Sequence, residues 1–322
     1  MKNDIGQIGE KLMIIVFGPV SMEQHMNLPQ MPDGPSPVFN DDYRLNAGGK
    51  GANQALAAAR TGAKVALVGK TGDDDFSKRI LEKIRRDGVM TSGVARSEDL
   101  HTGLDILCKL PGNEIKIIKS RGANAEAAAD QVPDEILNED SYLLLQTELS
   151  ATENTTLLER AKAQGVTTVL NLSPTLDLSP QMLENLDYLV VNSIEANKLA
   201  EQLNIPIKGN ASKLAQALAQ LGKLTCIVTE GKNGAVASAY EGKDYSIGAI
   251  PLEEVADHSG AEDAYCGTLT ACLHEGMPLP DAMKCASIAG TITCTRAGGQ
   301  KSLPYLAEIE EMLDQLDDAV EV

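Results

Sequence analysis

The sequence predicts an α/β fold in which helices cover both faces of a doubly wound, mainly parallel sheet. Short apolar runs typical of buried strands alternate along the chain with longer runs of helical periodicity, a pattern that favours parallel strands joined by crossover helices. The apolar residues are mostly aliphatic, since there is no Trp and only three Phe, and aliphatic strands suit a sheet that is buried on both faces. A length of 322 residues fits one large domain spanning residues 1–322.

The predicted elements follow one another in regular order. Apolar runs predict strands at residues 12–17, 65–68, 142–145, 167–170, 188–191 and 225–229. Helical periodicity lies between and after them, at residues 51–61, 75–87, 152–164, 193–203, 211–221, 264–275, 279–296 and 305–319.

Two segments break this order. Residues 23–44 are rich in Pro, Gly, Asn and Asp, and residues 104–119 alternate apolar and polar side chains around a Pro-Gly-Asn turn, which predicts a hairpin. Neither segment has neighbouring helices to cover both faces of a strand. We therefore expect a small separate sheet, built from about residues 22–46 and 100–122, that closes over a ligand as a lid.

Composition and charge exclude several classes of partner. The net charge of −18 argues against nucleic acid and against an anionic membrane, because both repel such a surface. The six cysteines form no C-x-x-C pair, which disfavours zinc and favours reduced thiols packed as small apolar side chains. Residues 1–11 contain no apolar signal segment, and no run approaches the ~18 apolar residues of a membrane span. We therefore expect a cytoplasmic protein.

A loop of seven residues at 257–263 is the most informative feature for function. It leads directly into a predicted helix, whose first N–H groups and dipole make the loop a ready anion site. Asp263 lies at the mouth of this site, where a carboxylate could take a proton from a hydroxyl that attacks a phosphoryl group. Glu262 stands beside it and places a negative charge where an anion would bind.

Two further segments lie where ligands bind to open α/β sheets. Gly49, Lys50 and Asn53 belong to a glycine-rich loop that opens a helix, which suits a polyhydroxylated or anionic ligand. A plain glycine-rich turn would have the same composition. Glu148 follows the third predicted strand, either as a ligand-binding group or as a structural cap.

The ends of the fifth and sixth predicted strands also allow two interpretations each. Asn192 and Glu195 follow the fifth predicted strand, where they could orient a hydrated Mg²⁺ or cap the next helix. Thr229, Gly231 and Gly234 close the sixth predicted strand, where the glycines would either admit a nucleotide or form an ordinary turn.

The order of these segments resembles the PfkB carbohydrate kinase family, and within it the ribokinase-like enzymes. The resemblance extends from residue 12 to about residue 310. It is carried by residues 48–53 (Gly-Gly-Lys-Gly-Ala-Asn), 144–148 (Leu-Leu-Gln-Thr-Glu), 192–195 (Asn-Ser-Ile-Glu), 229–234 (Thr-Glu-Gly-Lys-Asn-Gly) and 257–263 (Asp-His-Ser-Gly-Ala-Glu-Asp), with 121–125 and 295–300 in support.

This resemblance implies a sugar kinase that uses ATP and Mg²⁺, with a Rossmann-like core and a small β lid that often mediates a homodimer. The implied partners are a small-molecule sugar and ATP. In such enzymes an aspartate at the position of Asp263 deprotonates the sugar hydroxyl. The amides of Gly260, Ala261, Glu262 and Asp263 are then expected to stabilise the transferring phosphoryl group.

The remaining residues that the resemblance implies fall into three groups. The sugar-binding group is Ser21, Glu23, Gly49, Lys50, Asn53 and Glu148. The group for Mg²⁺ and the nucleotide is Asn192, Glu195, Thr229, Gly231 and Gly234. The group for a monovalent cation, K⁺ held mainly by backbone oxygens, is Asp257, Ser259, Arg296, Gly298 and Ser302.

Several positions depart from the family pattern. Glu262 replaces the second Gly of the usual Gly-Ala-Gly-Asp signature, so its side chain either crowds the anion site or points outward and favours the positive end of the helix. Ser21 and Glu23 replace an Asn-x-Asp pair that contacts the sugar, and His258 replaces a common Thr.

The leading interpretation is a kinase that transfers the γ-phosphoryl group of ATP to a hydroxyl of ribose or a similar small carbohydrate. One alternative is a catalytically weakened family member that binds sugar or nucleotide as a sensor or partner protein, because Ser21, Glu23 and Glu262 depart from the pattern. Another is a kinase for a nucleoside or a keto-sugar acid, although the scarcity of aromatic residues disfavours a nucleoside.

Overall fold

The computed structural model describes residues 13–174, 178 and 180–322 of the chain. Residues 1–12 lie outside these ranges, and with them the first residue of the strand predicted at 12–17. Within the described ranges, none of the helices has both the length and the apolar character needed to cross a membrane.

The secondary structure follows the predicted alternation. The strands are β1 (Met13–Phe17), β2 (Ser21–Asn27), β3 (Tyr43–Gly48), β4 (Val65–Gly72), β5 (Met90–Ser97), β6 (Gly103–Lys109), β7 (Ile115–Ser120), β8 (Ser141–Gln146), β9 (Thr167–Asn171), β10 (Tyr188–Asn192), β11 (Thr225–Thr229), β12 (Ala235–Ala239), β13 (Asp244–Ile247) and β14 (Val320–Glu321). The α-helices are α1 (Lys50–Arg60), α2 (Asp75–Arg86), α3 (Ala151–Ala163), α4 (Pro180–Glu184), α5 (Ser193–Gln202), α6 (Ala211–Gly222), α7 (Ala261–His274), α8 (Leu279–Cys294) and α9 (Leu306–Glu310).

The large sheet confirms the predicted fold class. Its strands lie in the order β14-β13-β12-β11-β10-β9-β8-β1-β4-β5, and those from β11 to β5 run parallel. The edge formed by β12, β13 and β14 is antiparallel. Apolar runs do not predict this edge, because its strands are short and contain polar residues.

Alternate residues of the central strand β1 pack into two hydrophobic layers, one on each face of the sheet. In β1, Ile14 and Val16 pack on the side of α1, α7 and α8, whereas Ile15 and Phe17 pack on the side of α3, α5 and α6. All four side chains are fully buried, and burial of a side chain of this size stabilises a fold by roughly 1.5–3 kcal/mol. Because both faces are covered, the strand is apolar at successive positions rather than at alternate ones.

Helices α1 and α7 pack closely, which matters because both begin at the candidate site. A Cβ on Gly267 of α7 would lie 2.5 Å from the backbone oxygen of Gln54 and 2.7 Å from the Ala57 side chain of α1. The absence of a side chain at Gly267 therefore permits the approach of the two helices. This approach brings Asn53 and Gln54 to the first turn of α7.

The second sheet has the order β3-β2-β6-β7 and contains the hairpin predicted at residues 104–119. Strand β2 runs parallel to β6, while the other pairs are antiparallel. One row across the sheet is polar, because Asn46, Glu23, Asp105 and Lys119 are successive cross-strand partners. Directly opposite residues share one face of a sheet, so the charges of this row lie together.

The C-terminal helix predicted at residues 305–319 is wrong over most of its length. Helix α9 ends at Glu310, and a short turn at Leu313–Gln315 and strand β14 follow. Leu316 has the spacing of a helical core residue, but it reaches the core from extended backbone, with φ −123° and ψ 127°. Strand β14 instead pairs with the edge strand β13, an interaction that helical periodicity does not reveal.

Candidate active site

Polar residues end neighbouring parallel strands and form one side of the candidate active site. Gln146 ends β8 next to Asn171 of β9, and Asn192 ends β10 next to Thr229 of β11. The carboxyl ends of parallel strands are where open α/β sheets bind ligands. The first turns of α1 and α7 meet this edge through hydrogen bonds to Asn171.

Asp263 lies in the first turn of α7 and is only 5% exposed. One of its carboxylate oxygens accepts a hydrogen bond from Asn53 Nδ2 at 2.9 Å, and the other accepts one from Gln54 Nε2 at 3.0 Å. Burial raises the pKa of Asp263, and the Lys50 cation together with the two amides opposes this rise. A fixed carboxylate with a raised pKa at a helix N-terminus is suited to general-base catalysis.

Lys50 and Glu262 form an ion pair directly beside this carboxylate. Lys50 Nζ lies 3.5 Å from Glu262 Oε2 and 3.8 Å from Asp263 Oδ1. Burial lowers the pKa of Lys50, but the carboxylates of Asp263, Glu262 and Glu148 outweigh burial and raise that pKa well above its usual value. These carboxylates therefore favour the charged form of Lys50 in the site.

The Glu262 side chain points into the site, so the interpretation that it turns outward is wrong. Its second oxygen accepts a hydrogen bond from Asn171 Nδ2 at 2.7 Å. Asn171 Oδ1 in turn accepts one from Gln54 Nε2 at 3.0 Å, and Gln54 Oε1 accepts one from Gln146 Nε2 at 2.7 Å. Sequence reasoning missed Gln54 and Asn171, although one follows a predicted site residue and the other follows a predicted strand.

The turn before α7 uses one of the four N–H groups predicted to bind an anion, that of Ala261, for a hydrogen bond of its own. Gly260 has a φ of 84°, in the left-handed region that glycine adopts readily. The N–H of Ala261 donates to the carbonyl of His258 at 3.2 Å, and the N–H of Ala264 donates to the carbonyl of Gly260 at 2.8 Å. The turn thus presents the N-terminus of α7, a region of partial positive charge, to the site.

The glycine-rich loop before α1 approaches the backbone that follows β1. Gly49 has a φ of 92°, and a Cβ there would lie 2.6 Å from the carbonyl oxygen of Pro19. Asn53, one turn further on, is 4% exposed, and its Oδ1 is buried without a hydrogen-bond partner among the described residues. An orphan acceptor of this kind fits a ligand hydroxyl.

Ser21 and Glu23 lie in β2 beside the same loop. Ser21 is buried, and its Oγ accepts a hydrogen bond from Asn124 Nδ2 at 3.3 Å. Glu23 packs against Gly48, where an added Cβ would lie 2.2 Å from Glu23 Oε1, and Glu23 Oε2 lies 3.0 Å from His25 Nε2. The structure therefore brings both residues to the glycine-rich loop.

Glu148 follows β8 and meets a lysine of the small sheet. Lys119 Nζ donates to Glu148 Oε1 and to Asp105 Oδ2, both at 2.8 Å. Asp105 is buried, and burial raises its pKa while Lys119 opposes the rise. Sequence reasoning missed Asp105 and Lys119, because charges in a predicted hairpin carry no motif.

Asn192 and Glu195 form a capping box at the start of α5. Asn192 Oδ1 accepts from the N–H groups of Ile194 and Glu195 at 3.0 and 2.9 Å, and Glu195 Oε2 accepts from the Asn192 N–H at 3.0 Å. Glu195 is nevertheless buried, and burial and the neighbouring Glu262 raise its pKa. A divalent cation near these carboxylates would offset their repulsion.

The described part of the chain contains no group of three or more His, Cys, Asp or Glu side chains that could hold a metal ion. All six cysteines are free thiols. A hydrated Mg²⁺ does not need such a group, since it keeps several waters and binds substrate phosphates through one or two carboxylates. The residues present therefore fit Mg²⁺ that arrives with a nucleotide.

Thr229, Gly231 and Gly234 close β11 as a tight turn. The N–H of Glu230 donates to the carbonyl of Gly234 at 2.8 Å. Gly234 has a φ of 94°, and a Cβ there would lie 1.9 Å from the carbonyl oxygen of Ile247, so the turn requires this glycine. A Cβ on Gly231 would meet nothing within 4 Å, which is open space beside the strand ends.

Asp257 ties together the two loops predicted to hold a monovalent cation. Its Oδ1 accepts from the Ser259 N–H at 2.9 Å, and its Oδ2 accepts from the Gly298 N–H at 3.4 Å. The Asp257 carboxylate thus holds the two loops together, and the resemblance implies that backbone oxygens of these loops bind the cation.

Arg296 and Ser302 border these loops through other contacts. The Arg296 guanidinium pairs with Glu308, and Ser302 Oγ donates to the carbonyl of Gly299 at 2.6 Å. The Arg296 side chain has no acceptor atom, so its contribution to a cation site would come from its backbone oxygen.

The chain is similar to known proteins over most of its length. A family model described as pfkB family carbohydrate kinase matches residues 11–306. A ribokinase of Schizosaccharomyces pombe is 29% identical over 307 residues, which cover 92% of this chain and 96% of the relative. A ribokinase of Bacillus subtilis is 29% identical over 301 residues, which cover 93% of this chain and 99% of the relative.

Solved structures share the fold. A ribokinase from Thermotoga maritima matches with a TM-score of 0.86 at 24% identity, covering 94% of this chain and 99% of the other. A ribokinase from Cryptococcus neoformans var. grubii, in complex with ADP, matches with a TM-score of 0.78 at 27% identity, covering 93% and 99%. With the family model matched along nearly its whole length, the chain belongs to the pfkB family of carbohydrate kinases.

Proposed function

We propose that the protein transfers the γ-phosphoryl group of ATP to a hydroxyl of ribose or of a closely similar sugar. The observation that carries this proposal is the buried Asp263 carboxylate, held by two amides beside Lys50 at the N-terminus of α7. The relatives that are ribokinases support ribose as the acceptor, and the Cryptococcus ribokinase in complex with ADP supports an adenine nucleotide.

Asp263 accepts the proton of the acceptor hydroxyl while the hydroxyl oxygen attacks the γ-phosphorus. A new oxygen–phosphorus bond forms as the bond to the bridging oxygen of ATP breaks, and ADP leaves with that electron pair. The proton remains on Asp263 until the product departs, when it passes to solvent. The N–H groups of Gly260, Glu262 and Asp263 and the Lys50 cation stabilise the negative charge of the transferring group.

Ser21, Glu23, Gly49, Asn53 and Glu148 hold the acceptor. Carboxylate and amide oxygens accept hydrogen bonds from sugar hydroxyls, and the orphan Asn53 Oδ1 is one such acceptor beside the base. Backbone exposed by Gly49 allows a small sugar to approach closely.

A neutral acceptor fits this pocket better than a keto-sugar acid. The carboxylates of Asp105 and Glu148 share Lys119, and Glu23 is the cross-strand partner of Asp105. A further carboxylate on the acceptor would face this negative charge. The shortage of aromatic side chains also leaves few stacking partners for a nucleoside base.

The nucleotide binds at the ends of β10 and β11, with Thr229, Gly231 and Gly234 beside it. Asn192 and Glu195 would organise Mg²⁺, which would neutralise charge on the phosphate oxygens. Backbone oxygens of the two loops tied by Asp257 would hold K⁺. Substituting Na⁺ for K⁺ in an activity assay tests this site, because turnover should be faster with K⁺ than with Na⁺.

The small sheet acts as a lid and as the interface of a homodimer. Closure of a lid over the acceptor excludes water, so that ATP is not hydrolysed when the sugar is absent. Ile115, Ile117 and Ile118 of edge strand β7 are 50%, 55% and 52% exposed, and exposed apolar side chains on a sheet edge favour pairing with another chain. Light scattering of the purified protein should give twice the chain mass, and an Ile117→Lys variant should give one.

The position of Glu262 favours a second candidate function. Its carboxylate accepts hydrogen bonds from Lys50 and Asn171 at the mouth of the anion site. These contacts oppose phosphoryl transfer. The result would be a protein that binds sugar or nucleotide but catalyses the transfer weakly. Such a protein would be stabilised by ligands without producing ADP.

The first experiment is ADP release with Mg-ATP and K⁺ across a panel of acceptors led by ribose. Sugar-dependent turnover that falls by about 10²- to 10⁴-fold in Asp263→Asn, the range expected for loss of a general base, supports the kinase and its base. Normal turnover of Asp263→Asn would remove Asp263 from this role. Thermal stabilisation by ribose or ATP without any ADP release would favour the binding protein.

A further inference from the structure

Lys119 forms an ion pair with Glu148, whose carboxylate the proposed function assigns to the acceptor. Its Nζ lies 2.8 Å from Glu148 Oε1 and 2.8 Å from Asp105 Oδ2. Lys119 belongs to the small sheet, whereas Glu148 follows β8 of the large sheet, so this contact joins the two sheets. A sugar hydroxyl that donates to Glu148 must compete with an ammonium group that already donates to it.

Asp105 of the small sheet is a second ion-pair partner for the Lys119 ammonium group. Asp105 is directly opposite Lys119 in the hairpin, and its carboxyl side chain is 8% exposed. When Glu148 turns to another partner, Lys119 still has a carboxylate within hydrogen-bond distance. Loss of the Glu148 contact therefore leaves neither Lys119 nor Asp105 as an unpaired buried charge, an outcome that would be costly.

We infer that Lys119 sets the affinity of the acceptor site, because it competes with the acceptor for Glu148 and pairs with Asp105 alone when the acceptor binds. This inference rests on the proposed function, in which Glu148 contacts the sugar. Lys119 thereby weakens the binding of acceptors that make only hydrogen bonds. It does not touch the reacting atoms, so its effect falls on KM and on binding affinity rather than on kcat.

Ionic strength distinguishes this competition from a purely structural role. Salt screens an ion pair that is partly open to solvent, and the Lys119 side chain is 42% exposed. Ribose is uncharged, so salt has no direct effect on its own contacts with the protein. If Lys119 must leave Glu148, ribose binding should strengthen as the salt concentration rises from about 0.05 M to about 0.5 M.

The experiment is calorimetric titration of ribose into the unmodified protein and into an Asp105→Leu/Lys119→Met variant at both salt concentrations. The double substitution removes both charges of the pair and leaves Glu148 free, without stranding Asp105. Ribose should bind the variant about fivefold more tightly at low salt, the range of a solvent-accessible ion pair, and the salt effect should disappear. Lys116→Met is the matched control, since Lys116 lies on the same strand and pairs with Glu114 instead.

Each remaining outcome overturns the inference. Ribose affinity that does not rise with salt in the unmodified protein removes the competition, and this result needs no variant to fold. Equal or weaker binding by the double variant assigns Lys119 to direct support of the sugar. If ribose binds at neither salt concentration, Lys119 and ribose do not compete for Glu148. ADP release, measured separately, decides the kinase activity, so failure of the inference is distinguishable from failure of the proposed function.

Discussion

Lys50 and Glu262 face each other between the first turns of α1 and α7, with Lys50 Nζ 3.5 Å from Glu262 Oε2. In the proposed reaction, Lys50 is a counter-charge for the phosphoryl group and Glu262 is an unfavourable charge beside it. The carboxylate also lies at the positive end of a helix, where it is stabilised. The ion pair thus stabilises the enzyme without substrate, and it opposes the binding of a charged phosphoryl group beside it.

Replacing Glu262 with glycine should accelerate phosphoryl transfer. A carboxylate about 4 Å from a phosphate oxygen costs on the order of 4 kcal/mol per charge pair at an effective dielectric near 20, so even partial relief should raise kcat by about tenfold or more. Glu262→Gln is the matched variant, because it keeps the side-chain length while it removes the charge. Steady-state kinetics with ribose and Mg-ATP measures both.

The two variants separate charge from shape. A gain in both assigns the obstruction to the carboxylate charge, whereas a gain only in the glycine variant assigns it to side-chain volume. An unchanged or lower kcat in Glu262→Gly would mean that the contacts of Glu262 with Lys50 and Asn171 support the active geometry.

The pH dependence of turnover should report the surroundings of Asp263. The base must be deprotonated, and burial raises its pKa, so kcat should fall on acidification at a higher pH than an ordinary aspartate would cause. Lys50 lowers the pKa of Asp263 and Glu262 raises it. Glu262→Gln should therefore move the acid limb to lower pH, and Lys50→Met should move it to higher pH. Shifts in the same direction would contradict this electrostatic arrangement.

The sequence predicted the site residues that belong to local motifs, and missed those that depend on packing. Asn192 ends a parallel strand, where open α/β sheets bind ligands, and Asn53 and Asp263 belong to loops of small residues that open helices. The contact of Gln54 with Asn171 joins residues separated by 117 positions, and it depends on how α1 lies across the sheet. No local pattern encodes that relation.

The orientation of Glu262 illustrates the same limit. At a helix N-terminus, either the helix dipole or a specific partner can decide where a carboxylate points. Lys50, whose position was predicted, is the partner, and Asn171, whose role was not, supplies the 2.7 Å hydrogen bond that fixes the inward rotamer. The antiparallel edge of the large sheet was missed for a related reason, since β14 is defined by its partner β13 rather than by its own residues.

Glu195→Gln should separate the capping role of this residue from its role toward Mg²⁺. Glutamine at this position can complete a capping box, so the melting temperature should stay nearly unchanged. Loss of the charge should raise the Mg²⁺ concentration needed for half-maximal turnover by about tenfold or more, the range seen when groups that orient metal ligands are removed. An unaltered Mg²⁺ requirement with a lowered melting temperature would leave Glu195 as a cap alone.

Gly267→Ala should damage the site from a distance of one helix turn. The added Cβ would lie 2.5 Å from the Gln54 carbonyl oxygen, so α1 and α7 must separate, at a cost of roughly 1–3 kcal/mol of stability for an overpacked core. Separation moves Asn53 and Gln54 away from Asp263, and small displacements of catalytic groups reduce rates by as much as about 10²-fold.

A control for this variant is Gly34→Ala, because a Cβ on Gly34 would meet nothing within 4 Å. Thermal denaturation and ADP release, measured together, should show both stability and kcat falling in Gly267→Ala and neither changing in Gly34→Ala. If Gly267→Ala lost stability but kept its kcat, the alignment of Asp263 with the α1 amides would not depend on the close approach of the two helices. That result would shift the positioning of the base to Lys50 and to the turn at residues 257–260.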